Sequence, residues 1–244
     1  MSDSTGQPTH GTTRLMQPAS LDWLHPHLKA NRGHILTANA LAEEDGPCAG
    51  NRDAQWRAFR DTHIKKYAPG VYSMPYLNPR LCRYLRAHLL NLGYSPNDEE
   101  EPEAQINECV LNHMHPELFT QLNGVWMLVM PAIANLLLQL EVQSCLSIQG
   151  AVYSPDGTKE TAWHQDIDSE FTAVVALSDP SEFIGGGTDV WRDNKQYNVP
   201  PLSVGHAMIF AGRTTLHRGC EVIYGERHLL VHWCNQSLSN LNMH

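Results

Sequence analysis

The most constraining feature of the sequence is a change of pattern at residue 145. From there onward, short runs rich in Val, Ile, Thr, Phe and Trp alternate with Gly, Pro, Asp and Asn. About ninety residues hold seven such runs and no pattern long enough for a helix, which favours an antiparallel sandwich or jelly roll. The predicted strands are 145–153, 161–166, 171–177, 188–192, 207–211, 216–222 and 227–234.

The residues before this region carry helical patterns. Asn78 and Pro79 fit the cap and first position of a helix that Gly93 ends. Apolar residues at helical intervals predict another helix over 56–67, and a long buried helix is predicted at about 116–140. Within the apolar stretch 125–142, a proline, two amides and a glutamate argue against a membrane span. The predicted fold class is mainly β, an antiparallel sandwich or jelly roll with supporting N-terminal α-helices.

The chain length fits one main domain with an N-terminal addition. Its 244 residues are enough for a single substantial core. Residues 1–15 are predicted to be a disordered tail, 16–69 an N-terminal elaboration, and 70–240 the main domain with its core at 145–235. The acidic run 97–103 is predicted to be a solvated loop, with an acidic docking site as the alternative.

Composition limits the partners and the compartment. Seventeen basic residues against 26 acidic ones give a formal charge of −9, which argues against an extended nucleic-acid surface. The six cysteines form no CxxC pair, which favours reduced thiols. The N-terminal residues contain no apolar stretch of the secretory type, so the cytoplasm is the expected compartment.

Two histidines and an aspartate form the strongest candidate for a metal site. His164 and Asp166 are two residues apart, so on a strand both side chains would leave the same face, and His217 could reach them from a second sheet. Two imidazoles and one carboxylate suit a redox-active iron with open positions, although catalytic zinc uses the same ligand types. The pair His113 and His115 has no third ligand nearby and is predicted to lie at the surface or cap a helix.

Arg227 shifts the balance towards iron. It begins the last predicted strand, ten residues after His217. A guanidinium buried in a β-sandwich needs an anionic partner, and among the adjacent residues only Glu226 could supply one. A bound dicarboxylate such as 2-oxoglutarate would satisfy it with two parallel hydrogen bonds.

These residues resemble a known family, the Fe(II)- and 2-oxoglutarate-dependent dioxygenases of the prolyl 4-hydroxylase and lysyl hydroxylase type. The resemblance rests on HQDIDSEFTAVVAL (164–177), GGGTDVW (185–191) and the stretch VPPLSVGHAMIFAGRTTLHRGCEVIYGERHLLVHW (199–233). The SEFT segment, and Tyr153 eleven residues before the first histidine, are similar to the lysyl hydroxylase catalytic domain. The resemblance implies a mainly β dioxygenase domain, a double-stranded β-helix (jelly roll) with supporting N-terminal α-helices.

Residue by residue, the resemblance implies Fe(II) held by His164, Asp166 and His217. It implies that Arg227 binds the distal carboxylate of 2-oxoglutarate. Tyr153 and Thr172 are the candidate hydrogen-bonding partners of this cosubstrate. The alternative for Tyr153 is a purely structural role in the core, and the alternative for Thr172 is an ordinary strand position. His206, His228 and His232 have no assigned role.

The resemblance also implies the reaction. The enzyme would consume O2 and 2-oxoglutarate, with ascorbate as a candidate reductant, and hydroxylate an unactivated C–H bond. The first expected substrate is a lysyl or prolyl side chain of a protein. The alternatives are the same chemistry on a free small molecule or a nucleobase, and a metal-binding jelly roll without catalytic activity.

Overall fold

A computed structural model describes residues 20–96 and 105–236. The predicted tail at 1–15 and the acidic run at 97–103 lie outside the described residues. The helices are α1 (Pro26–Asp45), α2 (Ala54–His63), α3 (Pro79–Leu92), α4 (Leu111–Met114), α5 (Pro116–Met127) and α6 (Met130–Leu138). The strands are β1 (Lys65–Ala68), β2 (Val71–Pro75), β3 (Ser95–Pro96), β4 (Asn107–Val110), β5 (Val142–Tyr153), β6 (Phe171–Ala176), β7 (Ile184–Gly185), β8 (Thr188–Arg192), β9 (Lys195–Val199), β10 (His206–Phe210), β11 (Leu216–Gly219), β12 (Val222–Tyr224) and β13 (Arg227–Gln236).

The strands form one large sheet and two small ones. The large sheet has eight strands in the order β1-β2-β10-β6-β13-β5-β4-β3. The small sheets have the orders β11-β8-β9 and β12-β7, and every pairing between strands is antiparallel. The predicted jelly-roll class is confirmed, without closure into a barrel.

The central strand β13 shows how the sequence gives the large sheet two different faces. Leu230 and Cys234 belong to the main hydrophobic core, which also contains apolar residues of α1, α2, α3, α5 and α6. Leu229, Val231 and Trp233 alternate with them and line a cavity on the opposite face. Because strand side chains alternate with a period of two, one strand serves both the core and the cavity.

Several predicted boundaries were wrong for identifiable reasons. Segment 161–166 is not a strand; within it only His164 forms an isolated bridge, to His217. The helix predicted at 116–140 is two helices, because Pro131 lies at the start of the second and has no N–H for a continuous ladder. The predicted strand 216–222 is divided between β11 and β12.

The largest omission was α1, twenty residues long. Pro26 suggested an interruption, but it occupies the first turn, where the missing N–H costs nothing, and His25 caps the helix by accepting the His27 N–H. Strand β9, Lys195–Val199, was also not predicted, since four of its five residues are polar or aromatic.

Three smaller predictions can be compared with the structure. His115 caps α5 by accepting the Leu118 N–H at 3.2 Å, and His113 is exposed, as predicted. All six cysteines are free thiols. Within the described ranges no single helix is long and apolar enough to cross a membrane, and α5 and α6 meet that criterion only as a pair bent by 50°.

Candidate metal centre

The structure brings His164, Asp166 and His217 together between the large sheet and the sheet β11-β8-β9. His217 lies on β11, and it exchanges two backbone hydrogen bonds of 2.9 Å with His164. This bridge holds the two ring centroids 4.3 Å apart. Backbone pairing therefore sets the distance between the two imidazoles, even though His164 lies outside any regular strand.

The ligand atoms of the three side chains face a common point. Asp166 Oδ1 lies 3.8 Å from His164 Nε2 and 3.9 Å from His217 Nε2, and all three atoms lie within 4.8 Å of one another. This is the one group of this kind among the described residues. Metal–ligand bonds of about 2.1 Å place neighbouring ligand atoms roughly 3 to 3.5 Å apart, so a small inward movement would suffice to bind an ion.

Hydrogen bonds to the backbone determine which ring nitrogen of each histidine can bind a metal. Each Nδ1 lies 3.0 Å from a backbone carbonyl, that of Ala162 for His164 and that of Thr215 for His217. A carbonyl only accepts, so each Nδ1 carries the proton and each Nε2 presents a lone pair to the centre. Burial lowers the pKa of His217, which favours the neutral, metal-binding form. The donor set therefore fits a divalent transition metal.

The second carboxylate oxygen of Asp166 is held separately. Thr172 Oγ1 donates to Asp166 Oδ2 at 2.7 Å and lies 3.0 Å from Ser169 Oγ. Thr172 does not line the cavity beside the metal ligands. The structure thus gives the Thr172 hydroxyl a partner other than the cosubstrate expected from the resemblance.

A cavity of about 70 Å³ adjoins the three candidate ligands. That volume is several times the roughly 10–15 Å³ that one water molecule needs. Most of its walls are apolar, and the residues that line it are Ile106, Gln149, Ala151, Tyr153, His164, Asp166, Val174, Thr188, Met208, His217, Gly219, Arg227, Leu229, Val231 and Trp233. The candidate metal ligands, Tyr153 and Arg227 therefore line the same cavity.

Arg227 is buried and has no acidic partner among the described residues. Its Nη1 donates to the Gly187 carbonyl at 2.7 Å, and its Nη2 lies 3.4 Å from Thr188 Oγ1. Glu226, the neighbour that could have neutralised it, accepts instead from His228 Nε2 at 2.9 Å. Burial lowers the pKa of Arg227, although an arginine remains charged in proteins. The guanidinium is thus a buried cation facing a cavity.

Tyr153 lies next to Arg227. The two residues are register partners on β5 and β13, and the Arg227 guanidinium carbon is 5.6 Å from the centre of the Tyr153 ring. The ring packs against Gly219, where a Cβ atom would lie 2.9 Å from it. The absence of a side chain at Gly219 therefore leaves the space that Tyr153 fills.

The three unassigned histidines contact other parts of the molecule. His232 is buried on the helical side of the large sheet, stacked on Trp126 with ring centroids 5.5 Å apart. His206 begins β10 and contacts the ring of His25. His228 pairs with Glu226.

Gln149 and Trp233 are among the cavity residues that the sequence reasoning missed. Gln149 is 4% exposed and lines the cavity from β5, opposite Val231. Trp233 lines it from β13, and its indole Nε1 is buried without a partner among the described residues. Each lies an even number of residues from Tyr153 or Arg227 on the same strand, and that two-residue period was the available signal.

Comparison with known proteins gives the fold. No protein-family model and no curated protein matches the sequence. Among solved structures, a prolyl-4-hydroxylase from Pseudomonas putida matches with a TM-score of 0.53 and 17% identity, over 74% of this chain and 96% of that one. A prolyl hydroxylase from Trichoplax adhaerens, in complex with a peptide of hypoxia inducible factor, matches with a TM-score of 0.58 and 12% identity, over 84% and 91%. The α-ketoglutarate-dependent carbocyclase SnoK of nogalamycin biosynthesis matches with 0.53 and 19%, over 73% and 82%.

The chain has the fold of the 2-oxoglutarate- and iron(II)-dependent oxygenases. At these identities the likeness concerns the fold, because one fold carries many activities. The function of this chain therefore has to be argued from its own side chains.

Proposed function

We propose that the protein is an Fe(II)- and 2-oxoglutarate-dependent dioxygenase that hydroxylates an unactivated C–H bond. The observation that carries the proposal is Arg227, a buried guanidinium without an acidic partner among the described residues, in the same cavity as His164, Asp166 and His217. A buried charge without a counterion is strongly destabilising, so a bound anion is its expected partner. A dicarboxylate that also reaches the metal supplies that anion and favours iron over zinc.

Each residue then has a defined task. His164, Asp166 and His217 hold the metal and leave positions open on it. Arg227 binds the distal carboxylate of 2-oxoglutarate, and Tyr153 and Thr188 are the neighbouring hydroxyl groups. Tyr153 stays in the proposed role of cosubstrate partner, whereas the Thr172 hydroxyl is directed at Asp166.

The protein contributes geometry and exclusion of water. Iron(II) bound with 2-oxoglutarate supplies the dioxygen chemistry that places one oxygen atom in a C–H bond. The hydrogen bonds from both Nδ1 atoms fix the imidazole rings, so that the ligands need little reorganisation. Val174 and Leu229 are apolar walls beside Arg227, where they keep water from competing for the guanidinium. The His164 side chain is 41% exposed and marks the open side of the centre.

For the substrate, we propose a prolyl or lysyl side chain of a protein as the first class to test. The P. putida and T. adhaerens structures are prolyl hydroxylases, and the latter holds a peptide fragment. A free small molecule is the second candidate, favoured by the match to SnoK, an enzyme of nogalamycin biosynthesis. Net charge argues against nucleic acid as the substrate.

The deciding experiment measures succinate formed from 2-oxoglutarate by purified, iron-loaded protein. The protein is then incubated with candidate peptides, amino acids and oligonucleotides, and mass spectrometry is used to detect a product that is heavier by one oxygen atom. Succinate formation is expected in the wild type and its loss is expected in His164→Ala. Absence of succinate with every candidate would favour a metal-binding module without catalytic activity.

The role of Arg227 has a separate test. Loss of one member of a buried charge pair costs roughly 2–5 kcal/mol, so Arg227→Ala should weaken anaerobic binding of 2-oxoglutarate by at least about 30-fold while metal binding survives. Arg60→Ala removes an arginine of α2 and serves as the control. Unchanged affinity in Arg227→Ala would remove the central argument for the proposed function.

A further inference from the structure

A line of buried hydrogen bonds leads from the backbone of β13 to Asp166. The Cys234 N–H donates to Ser169 Oγ at 3.1 Å. Ser169 Oγ lies 3.0 Å from Thr172 Oγ1, which lies 2.7 Å from Asp166 Oδ2. Ser169, Thr172 and Cys234 are completely buried, and Asp166 is 8% exposed. No solvent therefore competes for these bonds.

The direction of the bonds follows from the number of protons available. A carboxylate only accepts, so the single hydroxyl proton of Thr172 goes to Asp166 Oδ2. Ser169 Oγ, which already receives the Cys234 N–H, is the more distant and uncharged acceptor beside the Thr172 hydroxyl. The Ser169 hydroxyl itself donates to the Phe171 carbonyl at 3.0 Å. Of the two acceptors within reach of the Thr172 hydroxyl, the Asp166 carboxylate is the closer and the charged one, and it is a candidate metal ligand.

Packing holds Thr172 in this position. It lies on β6 between Phe210 of β10 and Trp233 of β13, in the middle of the large sheet. Gly212 lies close to both side chains: a Cβ atom there would be 2.7 Å from Thr172 Oγ1 and 3.1 Å from Asp166 Cβ. The hydroxyl has little freedom to turn elsewhere, so its bond to Asp166 is fixed by the fold.

We propose that Thr172, supported by Ser169, is a positioning residue that occupies Asp166 Oδ2 and thereby keeps Asp166 a ligand through Oδ1 alone. This inference rests on the metal site of the proposed function. A carboxylate that bound through both oxygens would take one of the positions that the cosubstrate and dioxygen need. The hydroxyl thus protects an open position on the metal as well as the orientation of the ligand.

The test uses Co²⁺ in place of iron, because its visible absorption reports the number of ligands without turnover. Thr172→Val keeps the shape of the side chain and removes the donor, whereas Thr172→Ser keeps the donor. Loss of a group that orients a metal ligand typically weakens metal binding roughly 10–100-fold, so Thr172→Val should bind Co²⁺ that much more weakly and with an altered spectrum. Thr172→Ser should restore both the affinity and the spectrum.

Controls separate this effect from general damage. Thr120→Val removes a hydroxyl hydrogen bond to the Pro116 carbonyl in α5 and should leave Co²⁺ binding unchanged. If Thr172→Val does not fold, as judged by circular dichroism, Ser169→Ala replaces it and should also weaken Co²⁺ binding. Wild-type affinity in Ser169→Ala would then overturn the proposal.

The remaining outcomes are distinguishable. Wild-type Co²⁺ affinity and spectrum in Thr172→Val would overturn the positioning role. Weaker binding of 2-oxoglutarate with unchanged Co²⁺ binding would place the Thr172 hydroxyl on the cosubstrate and would also overturn it. If the wild type binds no Co²⁺, or if His217→Ala binds it equally well, the metal site itself is refuted and the positioning role falls with it.

Discussion

Stability in mild acid should depend on His232, a histidine far from any solvent. Its ring is completely buried between Trp126 and Tyr76, and no acidic side chain pairs with it among the described residues. Burial lowers the pKa of His232 from 6.5 to about 3. The folded protein therefore excludes a proton that the unfolded chain accepts. Because the pKa of the folded state is the lower one, stability is complete above pH 6.5 and falls as the pH drops towards 3.

The expected loss can be calculated. At pH 5 the unfolded chain is almost fully protonated at this residue and the folded protein is not, which lowers the free energy of unfolding by about 2 kcal/mol relative to pH 7. For a chain of this size that change lowers the thermal midpoint by roughly 4–8 °C. A decrease of this size is a large part of the roughly 5–15 kcal/mol by which a native protein is stable.

The measurement compares two proteins at two pH values. His232→Phe keeps the stacked ring and removes the titrating group, so it should lose about 2 kcal/mol less than the wild type between pH 7 and pH 5. Unfolding is measured in urea with a chelator present, so that metal binding does not change with pH. The other histidines then contribute equally to both proteins. His113→Gln changes an exposed histidine and should keep the full wild-type loss, because His232 is still present. An equal loss in wild type and His232→Phe would refute the reasoning.

Three further predictions concern the candidate site. Gly219→Ala would place a Cβ atom 2.9 Å from the Tyr153 ring, so binding of 2-oxoglutarate, measured by calorimetry, should weaken by about tenfold or more while Co²⁺ affinity is kept; equal cosubstrate affinity would contradict this contact. Co²⁺ at a hundred times its dissociation constant should raise the free energy of unfolding by about 2.7 kcal/mol, and a similar rise in His217→Ala would contradict the ligand assignment. The preference for 2-oxoglutarate over 2-oxobutyrate, which lacks the distal carboxylate, should disappear in Arg227→Ala.

Sequence reasoning could propose the candidate site because its chemistry requires particular residue types. An iron or zinc centre needs imidazole and carboxylate groups, so His164, Asp166 and His217 could be selected by residue type and spacing, and the fold brings them together. Arg227 was proposed as a site residue because a guanidinium buried in a β-rich region needs an anionic partner. The strand that carries it, β13, begins at the predicted residue and ends two residues later than predicted.

Sequence reasoning failed where a residue's partner is distant in sequence. Thr172 looks like any β-branched strand residue, and only the fold shows that its hydroxyl lies on Asp166. His164 was assigned to a strand because HxD suits one, yet its position depends on a single bridge to a residue 53 positions later. Helix α1 was missed because Pro26 can either break a helix or begin one, and the flanking residues decide which.

The charges at the two ends of the cavity explain why a dianion, rather than any oxo acid, fits the proposed site. Imidazole ligands are neutral, so a divalent metal on His164, Asp166 and His217 keeps one net positive charge after Asp166 is counted. Arg227 adds a second, and no described acidic side chain neutralises it. A dicarboxylate balances both charges, whereas a monocarboxylate leaves one cation in a cavity with mostly apolar walls. Since an unpaired charge is costly in such surroundings, the charge arrangement of the proposed site would favour a dicarboxylate cosubstrate.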